Sequence, residues 1–92
     1  MEIGRVIGTV VATRKDNRLV GTKLLVTVPI DTKGKPCGVS VVAVDMVGAG
    51  TGDRVIYTHG SVASHAYSDR NAPIDAVIVG IVDAIVEEAE DR

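Results

Sequence analysis

The stretch of sequence that decides the fold is Ile74-Asp75-Ala76-Val77-Ile78-Val79-Gly80-Ile81-Val82-Asp83. β-Branched side chains lose rotamer freedom in helices and fit pleated sheets, so this segment predicts a strand over residues 74–83. Alternate residues of a strand point to opposite faces. One face then carries Ile74, Ala76, Ile78, Gly80 and Val82, and the other carries Val77, Val79 and Ile81. Both faces are apolar, and a small barrel buries only its inner face. The outer face therefore predicts a cover, supplied by a neighbouring subunit or by the chain's own tail or helix.

The composition of the whole chain agrees with a β protein. The 92 residues are 46% hydrophobic, with 10 basic residues against 12 acidic ones, which indicates a single globular domain. Aliphatic residues supply the core, because the chain has 17 Val and 8 Ile but only two Tyr, no Phe and no Trp. The low aromatic content and the net charge of −2 argue against nucleic acid as a partner. The longest apolar runs are far shorter than the roughly 20 residues of a membrane span, so no membrane segment is predicted.

Four more strands precede the fifth, and they are predicted at residues 3–14, 23–29, 39–46 and 54–59. In the first strand, the even positions are apolar or small and should share one face: Gly4, Val6, Gly8, Val10 and Ala12. A short helix, capped by Ser61, is predicted before the last strand. This order predicts a mostly β fold, a small and partly open five-stranded barrel of the oligonucleotide/oligosaccharide-binding type. Residues 1–83 form the single domain, and residues 84–92 form an acidic tail.

The residue types that usually carry chemistry do not form a recognisable site. The Gly48-x-Gly50-x-Gly52 run is followed by a predicted strand and not by the helix of a dinucleotide fingerprint. His59 and His65 lack the further ligands that a metal site needs, and Ser61, Ser64 and His65 do not form a nucleophile elbow. Aspartates at strand ends are predicted to cap turns. We therefore predict no enzyme, no catalytic residue, no cofactor and no metal, and we assign no role to Cys37.

Several segments in order resemble one known family. These are the start, residues 1–10, with Ile3-Gly4-Arg5-Val6; the run Ala43-Val44-Asp45-Met46-Val47-Gly48-Ala49-Gly50-Thr51-Gly52-Asp53; and Pro73 with the fifth strand. Together with Leu19-x-Gly21-x-Lys23 and Gly60-Ser61, they resemble the bacterial microcompartment vertex proteins of the EutN/CcmL family. The resemblance covers about residues 1–83 in the family's order and spacing.

The resemblance implies a structural function. Such proteins form pentamers that cap the five-fold vertices of cytoplasmic protein shells, where their partners are hexameric shell proteins. It further implies that a loop lies near the five-fold axis, formed by Gly48, Ala49, Gly50, Thr51 and Gly52. A closed ring needs two different surfaces on each chain, and Val77, Val79 and Ile81 are the candidates for one of them. Two alternatives stay open: a co-chaperonin-like ring protein and a binding module on an oligonucleotide-type barrel.

Overall fold

The computed structural model describes residues 1–13, 15–60 and 74–88. In these ranges the chain forms the strands β1 (Glu2–Val10), β2 (Lys23–Pro29), β3 (Val41–Asp45), β4 (Arg54–His59) and β5 (Ala76–Ile81). A short 3-10 turn, Asn17–Leu19, precedes β2. Among the described residues, no helix is long and apolar enough to cross a membrane. The predicted helix at Ser61 lies outside the described residues.

The strands close into a barrel in the order β1-β2-β3-β5-β4. All neighbouring strands run antiparallel except β3 and β5, which are parallel. The prediction of a five-stranded β-barrel is confirmed, but the prediction that it is partly open is wrong. The barrel closes because Val44 and Asp45 of β3 pair with Val77 and Ile78 of β5. Closure matters for a small barrel, since it leaves no unpaired strand edge.

Aliphatic side chains line the barrel interior, and they surround one large aromatic ring, that of Tyr57. The buried cluster of the interior consists of Val6, Leu25, Ala43, Ala49, Val55, Tyr57, Ala76 and Ile78. Tyr57 is fully buried, and its burial, together with the nearby Glu2 carboxylate, raises the pKa of its hydroxyl. Space for the ring comes from Gly4, because a Cβ on Gly4 would lie 2.8 Å from Cε1 of Tyr57. The lack of a side chain at Gly4 therefore leaves room in the core for the one large aromatic residue.

A β-bulge in β1 changes which residues face the interior. Val6 pairs with Thr27, but Thr9 pairs with Leu25, so the pairing skips one residue at Ile7. Thr27 and Leu25 are both buried, and directly paired residues lie on the same face. Beyond Ile7 the odd-numbered Thr9 therefore shares the face of Leu25, although Thr9 itself is exposed near the end of the strand. The predicted alternation of even residues is correct up to Val6 and wrong after it, because a bulge inserts an extra residue. The strand also ends at Val10, well before residue 14.

A second bulge lies in β5 and corrects the prediction from its alternating pattern. Tyr57 pairs with Ile78 and Ile56 pairs with Gly80, which leaves Val79 as the extra residue. Val77 then pairs with Thr58, and Ile81 pairs with Val55. Thr58 and Val55 are three residues apart in a regular strand, so Val77 and Ile81 lie on opposite faces of the sheet. The prediction that they share a face is wrong.

Part of the outer face of β5 is covered by the chain itself. Val77 is fully buried there in a second cluster, packed with Val44 and Ile74 and flanked by Leu19 and Leu24. The short turn before β2 supplies Leu19, so it forms one side of this cover. The surplus of aliphatic residues in the sequence thus fills two clusters, one inside the barrel and one outside it.

Candidate assembly surfaces

The glycine loop, residues 48–52, connects β3 to β4 and is anchored by an aspartate at its start. The carboxylate of Asp45 accepts hydrogen bonds from the backbone amides of Val47 at 3.1 Å, Gly48 at 3.0 Å and Ala49 at 3.1 Å. The Asp45 side chain is only 4% exposed. The prediction that strand-end aspartates cap turns is confirmed here, and the anchor holds the first half of the loop in one position.

Lys23 strengthens this anchor from the neighbouring strand. Its ammonium group lies 3.4 Å from the Asp45 carboxylate and also donates a hydrogen bond to the carbonyl of Ala49. Burial of Asp45 acts to raise its pKa, but the amide hydrogen bonds from Ala49 and Val47 and the charge of Lys23 outweigh burial and lower the pKa. The Asp45 side chain therefore stays ionised. It connects β3 to β2 through the ion pair with Lys23, and to the glycine loop through its amide hydrogen bonds.

The second half of the glycine loop is anchored by Asp53. Its carboxylate accepts a hydrogen bond from the amide of Gly50 at 2.9 Å, and its own amide donates to the Gly50 carbonyl at 3.0 Å. Gly52 donates to the carbonyl of Val6 on β1 at 2.8 Å. The side chain of Ala49 is fully buried in the barrel core. The loop is thus a fixed projection of the barrel, with most of its amides used inside the chain.

Glycine is present at the three positions of this loop for different structural reasons. Gly48 and Gly52 have φ of 81° and 94°, a region that glycine adopts at little cost. Gly50 lacks a positive φ, and a Cβ placed on it would have no atom of the described residues within 4 Å. Within the described part of the chain, nothing therefore requires glycine at position 50. A glycine that its own chain does not require is expected where another molecule approaches the backbone closely.

We predict that Asp45→Asn lowers the stability of the fold and flattens its dependence on acid pH. An amide keeps one acceptor but loses the charge, so we expect a loss of about 2 kcal/mol. In the original chain the folded pKa of Asp45 lies below its ordinary value of 3.8, so the stabilisation is full above that pH and is lost as pH falls below it. Urea unfolding at pH 7 and pH 3 measures the difference.

Asp16→Asn provides the matched control for this experiment. Hydrogen bonds from Arg18 lower the pKa of Asp16 as well, but this aspartate lies at the surface. Solvent weakens exposed ion pairs, so we expect no measurable change in stability at either pH. Equal losses in the two variants would contradict the anchoring role of Asp45.

The candidate interface residues of β5 are not equivalent in the structure. Val77 is buried within its own chain, as described above, so it presents no surface to a second copy. Val79 and Ile81 are 36% and 42% exposed. Val79 is the bulged residue, and Ile81 lies at the end of the barrel that also carries the glycine loop. The structure therefore leaves Val79 and Ile81 as the available pair.

The structure adds an apolar groove that the sequence did not predict. It has a volume of about 630 Å³ and is lined by Met1, Glu2, Ile3, Pro29, Ile30, Asp31, Thr32, Cys37 and Ile56. Ile3 and Ile56 are paired residues on the outside of β1 and β4. The signal in the sequence was weak, because the groove combines two short runs, residues 1–3 and 29–32, with Cys37 and Ile56 from elsewhere in the chain.

Residues considered for chemistry do not converge. His59 lies 3.3 Å from the Glu2 carboxylate at the surface, and Cys37 is exposed. Within the described ranges, no group of three His, Cys, Asp or Glu residues is placed to hold a metal ion. Ser61, Ser64 and His65 lie outside the described residues.

Comparisons with known proteins agree with this architecture. The family model described as "Ethanolamine utilisation protein EutN/carboxysome" matches residues 1–83. The chain is 48% identical over 85 residues to the bacterial microcompartment shell vertex protein GrpN of Rhodospirillum rubrum strain F11, covering 92% of this chain and 96% of GrpN. It is 42% identical over 85 residues to the carboxysome shell vertex protein CcmL of Gloeobacter violaceus, covering 92% of this chain and 85% of CcmL.

Solved structures give the same result at the level of the fold. The structure described as the GrpN pentameric microcompartment shell protein from Rhodospirillum rubrum superposes with a TM-score of 0.85 at 46% identity, covering 96% of this chain and all of that chain. An ethanolamine utilization protein EutN superposes with a TM-score of 0.89 at 39% identity, covering 95% and 91% of the two chains. The match of sequence and barrel along almost the whole length shows that this chain belongs to the EutN/CcmL family.

Proposed function

We propose that this chain is a structural vertex subunit of a bacterial microcompartment shell in the cytoplasm. Five copies form a ring, and the ring fills a five-fold vertex between hexameric shell proteins. The observation that carries the proposal is the superposition on a pentameric shell protein over the full length of that protein. Hexagonal units tile flat sheets, so a closed polyhedral shell needs pentagonal units at its corners.

The glycine loop is proposed to lie near the five-fold axis. Support comes from Gly50, which has open space around it and an ordinary backbone conformation. Five copies of a loop that meet at an axis need small residues, since side chains would clash with their symmetry mates. The anchors at Asp45 and Asp53 fix the loop, so all five copies would present the same shape. Thr51 is exposed at its tip.

Val79 and Ile81 are proposed to contact a neighbouring subunit. Both are aliphatic and remain partly exposed in the single chain. Burial of such side chains contributes about 1.5–3 kcal/mol each when it is complete. We further propose that residues 1–83 act as one barrel domain, with residues 84–92 as a tail. The proposed function involves no reaction, no cofactor, no nucleic acid and no membrane.

Native mass spectrometry of the purified chain tests this function. We expect a single species of five copies, because a head-to-tail interface between identical chains closes at a fixed number. A ring of seven would favour a co-chaperonin-like protein, and a monomer would favour a binding module. Co-expression with a hexameric shell protein, followed by electron microscopy, then tests the vertex role. Closed polyhedral particles should form only when the pentamer is present.

A further inference from the structure

The outer side of β1 and β4 carries an apolar pair followed by a basic pair. Ile3 pairs with Ile56, and two residues along the strands Arg5 pairs with Arg54. We call these four residues the β1–β4 face. All four are half-buried, and the isoleucines line the apolar groove described above. This surface therefore combines an apolar part and a positively charged part at a fixed spacing.

The two arginines of this face are not neutralised within the part of the chain that is described. Arg5 donates to the carbonyl of Gly34 at 3.2 Å, and Arg54 donates to the carbonyl of Asp83 at 3.2 Å. Neither guanidinium forms an ion pair with a carboxylate of the described residues. Like charges directly opposite each other on two strands repel. A carboxylate from elsewhere would relieve this repulsion.

The C-terminal arm, residues 84–88, has the complementary character. The amide of Val82 still bonds to the carbonyl of Arg54 at 2.8 Å, but the arm beyond it lies largely in solvent. Val86 is 85% exposed, and Glu87 and Glu88 are exposed as well. The arm therefore presents an apolar residue followed by acidic residues, and all three side chains are exposed in the part of the chain that is described.

We propose that the C-terminal arm of one copy lies on the β1–β4 face of the neighbouring copy. Val86 contacts Ile3 and Ile56 of the neighbour, and Glu88 pairs with its Arg5 and Arg54. Val86 and Glu88 are two residues apart, as are Ile3 and Arg5. Extended segments rise about 3.3 Å per residue, so the two spacings match when the arm is extended.

The occupant is a second copy because the arm does not cover the face of its own barrel. The high exposure of Val86 places that side chain outside the groove of its own chain. A ring also requires two different surfaces on each subunit, and the arm and the β1–β4 face meet this requirement. The inference rests on the proposed function, since it assigns one contact of the proposed pentamer.

Disulfide trapping tests which chain the arm contacts. In a Cys37→Ser background, the pair Ile3→Cys and Val86→Cys is oxidised at low protein concentration. Disulfides form only when the two Cα atoms lie within about 7 Å. We expect a ladder on a non-reducing gel that ends at five linked chains. A gel that shows only monomers, whether unlinked or linked within one chain, would overturn the inference.

A charge exchange tests the proposed ion pair in the full chain. Glu88→Arg and Arg54→Glu should each raise the concentration at which half of the rings dissociate by about tenfold. The double variant should return this concentration to within about threefold of the original. Arg18→Glu is the matched control, because it reverses an exposed charge on the turn before β2, whose Leu19 packs outside β3 and β5 and not on this face, and it should leave the ring unchanged.

The outcomes separate the inference from the proposed function. If the unmodified chain never forms a pentamer in native mass spectrometry, the proposed function itself fails. If the pentamer forms but the double variant is as weak as the two single variants combined, only the arm contact is overturned. Restoration by the double variant, together with the gel ladder, establishes the contact between neighbouring copies.

Discussion

A chain carrying Gly50→Leu should fold normally and fail to close a five-membered ring. Folding should persist because a side chain on Gly50 enters open space, with no atom of the described residues within 4 Å of its Cβ. The backbone there has no positive φ, so leucine adopts it without strain. In the proposed pentamer, five leucines would have to share the space around the axis. Overpacking in a closed interface cannot be relieved, because the loop is anchored by Asp45 and Asp53.

Analytical ultracentrifugation and circular dichroism separate the two parts of this expectation. The dichroism spectrum and the urea midpoint of the Gly50→Leu monomer should match those expected for an intact barrel. The sedimenting species should shift from pentamer to monomer, while Gly50→Ala should give a mixture. Ser40→Leu is the control, because it adds a similar volume at an exposed residue of a loop at the other end of the barrel. A Gly50→Leu chain that sediments as a stable pentamer would contradict the position of the loop at the axis.

The strands could be predicted from the sequence where local signals agree. β2 and β4 have the predicted bounds, because polar or glycine-containing turns flank short apolar segments on both sides. The bulges at Ile7 and Val79 could not be predicted, since a bulge depends on the pairing of two distant strands. Their effect is large, because a shift of one residue exchanges the two faces of a strand. This is why Val77 and Ile81 proved to lie on opposite faces.

The candidate assembly surfaces could likewise be predicted only in part. The glycine loop was evident from its composition, and its aspartate anchors follow from the ability of aspartate to accept local amide hydrogen bonds. The contribution of Lys23 was not predictable, because it reaches the loop from another strand. The β1–β4 face escaped prediction for the same reason: its isoleucines and arginines become neighbours only when β1 and β4 pair.

Gly4→Ala adds only one methyl group, but it should lower the free energy of unfolding of the barrel more than Asp45→Asn does. A Cβ on Gly4 would lie 2.6 Å from Cγ2 of Thr27, 2.8 Å from Cε1 of Tyr57 and 3.0 Å from the carbonyl oxygen of Val28. Carbon atoms in favourable contact lie about 3.5–4.0 Å apart. Thr27 and Tyr57 are both fully buried, so neither can move into solvent. We expect a loss of about 3 kcal/mol, a large part of the stability of a domain of this size.

Urea unfolding of four variants tests the origin of this loss. With an ordinary slope, about 3 kcal/mol lowers the urea midpoint by about 2 M. Gly8→Ala is the matched control in the same strand, because its Cβ would meet no described atom within 4 Å, and it should change stability by less than about 0.5 kcal/mol. Thr27→Ser removes the clashing methyl group and keeps the hydroxyl. Combined with Gly4→Ala, it should recover about 1 kcal/mol relative to the sum of the single changes, since residues in contact are not additive. Strict additivity would show that the alanine is accommodated elsewhere, and that the close packing of Gly4 against Thr27 does not limit the core.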